Sequence, residues 1–288
     1  MKHLSDFTAD DLAELATSDV ARALAEDVAG GDLTAALVDA DRRVRARILA
    51  RESAVICGIP WVNAAVHALD PQAVLDWQVA EGERCAPDQV VVTITGRART
   101  LLTAERTALN FLQLLSAVAT KTATYVDAVA GTRAAIVDTR KTLPGLRLAQ
   151  KYAVRTGGGV NHRIGLFDAV LIKENHIAAA GGVAAVLQRV RETAPSARFV
   201  EIEVETLAQL DEALASGATM VLLDNMDLPT LREAVARNAG RAILEISGGV
   251  NLSTVRALAE TGVDRISIGA LTKDVKAIDF SMRMEQLP

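Results

Sequence analysis

The sequence predicts an α/β chain in two parts, the second built on parallel strands, and three observations carry that reading. The first third mixes an alternating apolar stretch with helical periodicity, which is the α+β pattern. From residue 134 onward six short apolar runs alternate with helical stretches, which implies βα units and hence parallel strands. Each run is followed at once by polar or glycine-rich residues, as in parallel sheets that carry their chemistry at the strand C-termini.

Residues 8–28 read as helix, because Leu12, Leu15, Ala16, Val20, Ala23 and Leu24 recur at turn spacing. A turn follows at Gly30-Gly31-Asp32. Between 44 and 51, Val44, Ala46 and Ile48 alternate with Arg45 and Arg47, the pattern of a half-buried strand; 73–79 and 89–98 are further strand candidates. Thr103 is expected to cap a long helix joining the two parts. Its apolar face is Ala108, Phe111, Leu112, Leu115, Val118 and Ala119, and Glu105 in its first turn suits the helix dipole. The six predicted parallel strands are 134–138, 168–172, 199–204, 218–223, 242–246 and 263–268, and six units fall short of a closed barrel.

Half of the 288 residues are hydrophobic, enough for one large or two moderate cores. A net charge of -5 and 3% aromatic content leave no basic face for phosphate backbones and few rings for base stacking, so nucleic acid is not an expected partner. Cys57 and Cys85 lie in no metal-ligand or redox spacing and are expected as reduced structural thiols. Met1 to Phe7 lack the apolar stretch and cleavage site of a secretory signal, and no uncharged apolar run reaches the roughly 18 residues of a membrane span. The expected location is the cytoplasm, with no membrane partner.

Cations stand next to strand-like runs in this acidic chain: Arg140 and Lys141 after Asp138, Arg163 after Gly157-Gly158-Gly159, and Lys173 after Ile172. That placement suits a small polyanion. The other strand ends bring Glu203 and Glu205, Asp224-Asn225, Ser247-Gly248-Gly249, and Gly269-Ala270. Glu201, Glu203 and Glu205 fall on one strand face, so spacing cannot choose among them. Two glycine turns in the last two units could offer unobstructed backbone N–H groups to a phosphate. Taken singly, each of these residues has a plainer reading, as a surface ion pair, a solvated lysine or an ordinary turn; their convergence on strand ends favours a site.

The motifs DTRKTLPGLR (138–147), KYAVR (151–155), GGGVNHR (157–163), LIKENH (171–176), EIEVE (201–205), LDNM (223–226) and SGG (247–249) resemble the quinolinate phosphoribosyltransferase family. The resemblance extends to Glu26-Asp27, Gly31-Asp32, Thr34 and the stretch 105–112, with one departure at Ala29, where the family often has glycine. It implies an N-terminal α/β sandwich domain (1–113 with 275–288, the stretch 279–284 returning as a strand) and a C-terminal open, incomplete α/β TIM-like barrel (114–274). The implied reaction joins quinolinate to phosphoribosyl pyrophosphate, giving nicotinate mononucleotide, pyrophosphate and carbon dioxide in de novo NAD biosynthesis. Mg2+ arrives with phosphoribosyl pyrophosphate, and no resident metal is expected.

The resemblance also assigns roles. Arg140, Arg163 and, from a neighbouring subunit, Arg106 would take the two quinolinate carboxylates, with His162 and Lys173 nearby and His162 positioning substrate. By spacing alone Arg106 is only an exposed residue in the first turn of a capped helix. Thr139, Ser247, Gly248, Gly249, Ile268, Gly269 and Ala270 would line the phosphoribosyl side. Lys141, Glu203 and Asp224 would be catalytic, the lysine beside pyrophosphate and the carboxylates beside ribose and magnesium. Lys151 is expected as a surface lysine. Homodimers with shared sites are implied, and assembly into hexamers is left open. Three alternatives remain at this point: the molybdenum-operon relative of the family, a Schiff-base barrel aldolase using Lys173, and a dicarboxylate-binding paralogue without turnover.

Overall fold

The structure is a computed structural model that describes residues 7–286; Met1 to Asp6, on which most of the signal reading rests, and Leu287-Pro288 lie outside them. In chain order the elements begin with α1 (Ala9–Asp27), β1 (Arg43–Ala50), β2 (Ala54–Val55), α2 (Ile59–Leu69), β3 (Val74–Trp77), β4 (Arg84–Cys85), β5 (Val90–Arg97) and α3 (Ala98–Ala128). There follow β6 (Ala135–Val137), α4 (Arg147–Thr156), β7 (Val170–Ile172), α5 (Glu174–Ala180), α6 (Val183–Thr193), β8 (Val200–Val204) and α7 (Leu207–Ala215). The chain ends with β9 (Met220–Leu223), α8 (Leu228–Asn238), β10 (Ile243–Ile246), α9 (Val255–Ala259), β11 (Arg265–Ser267), α10 (Ala270–Lys273) and β12 (Phe280–Gln286). Two compact units result. One runs to Ala123 and includes Leu143–Gly158 and the chain from Leu271; the other is Thr124–Thr142 with Gly159–Ala270.

The first unit is built on an antiparallel sheet in the order β12-β1-β5-β3. The alternation read in β1 is real: Val44, Ala46, Ile48 and Ala50 are buried, and Ala46 pairs with Ile94 on one side and Met284 on the other. The returning strand expected near 279–284 is β12. Thr8 caps α1, its hydroxyl accepting the Asp11 N–H while Asp11 accepts the Thr8 N–H, a reciprocal capping box. Inside this unit the fully buried Trp61 donates its indole N–H to the buried Asp19 at 3.0 Å, and Arg22 neutralises that carboxylate. Ala29 sits at φ +42°, the left-handed region that glycine occupies at no steric cost. Cys57 and Cys85 are buried and form no disulfide.

Two expectations fail in this unit. The long helix starts at Ala98, not at Thr103, so Arg106 and Glu105 stand in its third turn and the dipole argument does not apply to either. Thr103 is inside the helix, where its hydroxyl meets Arg99 O and Asp32 Oδ2. The start is fixed instead by the buried Asp70, whose Oδ2 accepts the Arg97 N–H at 2.9 Å. Lys151 is fully buried. Ala149, Gln150, Lys151, Ala153 and Val154 form a buried face that spans about half of α4, and Lys151 lies on it, while the exposed cation of this helix is Arg155.

Gly157, read as part of the anion motif, has a packing role. A Cβ there would come 2.3 Å from Ala119 O and 2.8 Å from Thr122 Cβ on α3. Gly157→Ala is therefore expected to cost about 1–3 kcal/mol through overpacking, measurable as a lowered denaturation midpoint at unchanged slope.

The second unit is a parallel sheet in the order β6-β11-β10-β9-β8-β7, with β6 and β7 as its two ends: an open α/β barrel. All six predicted strands are present, each starting one or two residues after the apolar run that announced it; β6 and β11 also end one residue sooner, and the other four end where the run does. The β9 run Met220–Leu223 is buried throughout, as a central parallel strand requires.

Candidate active site

Because the sheet order is β6-β11-β10-β9-β8-β7, its C-terminal edge sets out the loop residues in a fixed sequence. Lys141 follows β6, Gly269 follows β11, Gly248 follows β10, Asp224 follows β9, Glu203 lies near the end of β8, and Lys173 follows β7. Cations occupy the two ends of the row, carboxylates and glycines the middle. Topology alone thus brings together residues spread over 129 positions of sequence, from Lys141 to Gly269.

At the β6 end, Asp138 is fully buried and acts as a clamp: it accepts the Asn161 amide at 2.6 Å and the His162 N–H at 2.8 Å. Thr139 Oγ1 accepts the Lys141 N–H at 3.1 Å and turns the chain so that Lys141 is exposed and Arg140 half-buried. The lysine stem lies over Gly269, where a Cβ would come 2.9 Å from Lys141 Cδ and 3.5 Å from Thr139 Oγ1. Gly269→Ala should displace Lys141 without loading the core. The expected result is about a 10- to 100-fold loss of kcat with the melting temperature almost unchanged, read by steady-state kinetics beside a thermal melt.

Arg163 is half-buried, and its basicity is pulled below the ordinary guanidinium range by burial and then by the like charge of Arg140. Asp168 and Glu201 offset part of that effect, and a further anion between the two guanidiniums would relieve the rest. The loop after Arg163 is closed by Asp168, which accepts the N–H groups of Ile164 and Gly165, each at 2.8 Å. At the other end of the row, Lys173 Nζ meets Glu203 Oε2 at 2.8 Å.

Depth separates the three β8 carboxylates that spacing left equal. Glu205 is exposed, Glu203 is at the rim with 13% of its side chain accessible, and Glu201 is fully buried. Burial pushes the Glu201 carboxyl up to about 7, with Arg265 and Arg163 pulling the other way. Next along the row, Asp224 Oδ2 accepts the Asn225 amide at 2.8 Å, and its Oδ1 would be 3.8 Å from a Cβ on Gly248. Gly248 and Gly249 have φ of +92° and +62°, a successive left-handed pair that side chains disfavour. Ser247, Gly269 and Ala270 are half-buried beside them and Ile268 is buried.

Two expected site residues are not among these loop residues. Arg106 is exposed on α3 in the first unit. The buried His162 ring has both nitrogens committed within the protein, to Glu201 and to the Arg163 backbone, and its face meets Phe199 edge-on. Glu245 and Arg265, paired at 2.7 Å beneath the row, were missed in the sequence reading. The available signal was a single charge set inside an apolar strand, Ile243-Leu244-Glu245-Ile246.

Known proteins resemble this chain over most of its length. The Quinolinate phosphoribosyl transferase, C-terminal domain, family matches residues 118–283, and its N-terminal domain counterpart matches residues 32–116. A carboxylating nicotinate-nucleotide pyrophosphorylase of Mycobacterium leprae is 46% identical over 277 residues, covering 93% of this chain and 97% of the relative. A probable enzyme of the same name from Bacillus subtilis is 38% identical, with 89% of each chain covered. The solved structure of the nicotinate-nucleotide pyrophosphorylase from Francisella tularensis superimposes with a TM-score of 0.92 at 42% identity, over 95% of this chain and 97% of the other. With both domain families matched in order along one chain, the protein belongs to the quinolinate phosphoribosyltransferase family.

Proposed function

We propose that the strand-end row is the site at which this chain carries out its family's reaction. The activity is that of a carboxylating nicotinate-nucleotide pyrophosphorylase, a phosphoribosyltransferase of de novo NAD biosynthesis acting on quinolinate and phosphoribosyl pyrophosphate. The observation that carries the assignment of the site is the row itself: one edge of a parallel sheet brings Lys141 and Lys173 together with Glu203, Asp224 and two glycine turns.

In this reading quinolinate lies against Arg140 and Arg163, whose planar forks suit its two carboxylates, with Lys173 beside it and Arg106 of the partner subunit completing the ring of donors in a homodimer. Hexamer assembly would add copies of the same shared site. Thr139 and Lys141 face the pyrophosphate. Glu203 and Asp224 hold ribose hydroxyls and the magnesium that phosphoribosyl pyrophosphate brings, since hard cations and sugar hydroxyls both favour carboxylate oxygens. The left-handed pair Gly248-Gly249, with Ser247, and the turn Ile268-Gly269-Ala270 offer backbone N–H groups to the 5-phosphate.

The chemistry then needs placement more than proton transfer. The pyridine nitrogen attacks the anomeric carbon as pyrophosphate leaves, and Glu203 and Asp224 stabilise the positive charge that develops there. The ring nitrogen becomes cationic, and that charge stabilises the carbanion left when the adjacent carboxylate departs as carbon dioxide; the carbanion then takes a proton from water to give nicotinate mononucleotide. Lys173 is exposed and ion-paired, which suits an anion-binding residue; an amine nucleophile is activated in a desolvated pocket instead. No described helix is long and apolar enough to cross a membrane, and the proposed setting is the cytoplasm.

The test is direct: purified protein, quinolinate, phosphoribosyl pyrophosphate and magnesium should yield nicotinate mononucleotide and carbon dioxide in equal amounts. Quinolinate binding without product would instead favour a dicarboxylate-binding paralogue.

A further inference from the structure

Beneath the row of loop residues lies a buried network that the reaction scheme does not use. His162, Glu201 and Glu245 are all buried within the second unit, and Arg265 reaches them from β11. Three of these four come from strands of one sheet, β10 and β11 side by side and β8 one strand further along, beyond β9; the histidine comes from the turn that also carries Arg163.

The hydrogen bonds fix the histidine's protonation pattern. The Arg163 backbone N–H donates to His162 Nδ1 at 2.8 Å, so that nitrogen must present a lone pair. The ring proton therefore sits on Nε2, which faces Glu201 Oε2 at 2.7 Å, with Glu245 Oε1 further away at 3.6 Å. A doubly protonated ring would set N–H against N–H at Arg163. Phe199 packs edge-on to the imidazole at a centroid distance of 5.3 Å and limits its rotation. Arg265 Nε donates to Glu245 Oε2 at 2.7 Å, and the Glu245 oxygen that faces the ring, Oε1, lies at 3.6 Å, beyond hydrogen-bond reach.

We propose that Glu201 is a positioning residue for the dicarboxylate pocket: it locks His162 as the Nε2–H tautomer, whose Nδ1 then holds the backbone of Arg163 and so aims the Arg163 guanidinium. The inference deepens the functional reading above and rests on it. Asp138 on one side and Asp168 on the other fix the turn's ends, but neither bonds the Arg163 N–H; His162 does. His162, Glu201 and Glu245 have the atom types to ligate a cation, yet Arg265 and Arg163 already set positive charge against these carboxylates and would repel a dication.

Electrostatics and positioning predict opposite signs, which makes the inference testable. Removing a buried carboxylate from beside a cationic pocket should tighten the binding of a dianion, whereas losing the tautomer lock should weaken it. Glu201→Gln keeps an acceptor oxygen for Nε2–H; Glu201→Ala keeps none. The expected result is that Glu201→Ala raises the KM for quinolinate about tenfold, with kcat and the KM for phosphoribosyl pyrophosphate within about threefold of wild type, and that Glu201→Gln restores the KM to within about threefold. A Glu201→Ala protein that binds quinolinate as tightly as the Gln variant overturns it.

A second measurement needs neither a variant at Glu201 nor turnover. Nitrogen-15 NMR of the histidine-labelled wild-type protein, with His162 assigned by loss of its signals in His162→Gln, should show Nε2 protonated and Nδ1 bare. An Nδ1–H tautomer or a doubly protonated ring at neutral pH refutes the lock and leaves the catalytic reading standing. A protein that neither binds nor turns over quinolinate overturns the functional reading and the inference together.

Discussion

Arg163→Ala should raise the KM for quinolinate by about 100-fold or more, and kcat/KM should fall by about 100- to 1,000-fold, while the KM for phosphoribosyl pyrophosphate moves less than about threefold. Truncating one half of a charge-assisted, partly desolvated pair costs about 2–5 kcal/mol, because the partner's charge is left in the pocket without its counterpart. Here the partner would be one of two carboxylates on a rigid ring, so the remaining Arg140 cannot swing across to serve both. Arg163→Lys separates charge from geometry. It keeps the cation and loses the planar fork, and it also lifts part of the repulsion that Arg140 exerts on a delocalised, half-buried guanidinium. An intermediate loss of about tenfold is expected for it. Equal losses for Ala and Lys would mean that the fork's two parallel hydrogen bonds carry the recognition; no loss for either would remove Arg163 from the quinolinate pocket.

The sheet and its order of chemistry were legible because of how parallel strands are buried. A strand covered on both faces reads as a short apolar run, and the first polar residue after it marks the strand's C-terminal edge. That is why Lys141, Lys173, Asp224, Gly248 and Gly269 could be named from spacing, and the six-strand order then puts them side by side. What the sequence hid were contacts made by residues remote in the chain. The start of α3 depends on Asp70, which lies 27 positions before Arg97 and leaves no capping signature in the helix itself. A search for local caps settled on Thr103 for that reason, and the error carried over to the placement of Arg106. Lys151 was misread because a charged residue in a short helix is ordinarily solvated, and only the burial of its face of α4 contradicts that. The network beneath the site was hidden in another way: Glu201 shares its strand face with Glu203 and Glu205, and only depth in the structure distinguishes a buried orienting group from one at the rim.

Arg106 is the residue for which a single chain offers the least, since it is exposed on α3 and belongs to the first unit. The proposal that it serves a neighbouring chain can be settled by complementation. Arg106→Ala and Lys141→Ala homodimers should each lose about 100-fold or more of kcat/KM, the first through quinolinate and the second through pyrophosphate departure. In a two-fold dimer with shared sites, a mixed dimer places both defects in one site and leaves the other intact, so mixed dimers purified through two different affinity tags should regain about half of the wild-type activity. The regained activity should also show wild-type KM values for both substrates, because it comes from a complete site and not from two damaged ones. If instead each site were built within one chain, every site of the mixed dimer would carry one defect and the activity would stay at the level of the homodimers. Recovery to about half with normal KM values is therefore an outcome that only a shared site produces, and its absence would return Arg106 to the solvated surface where its exposure alone would leave it.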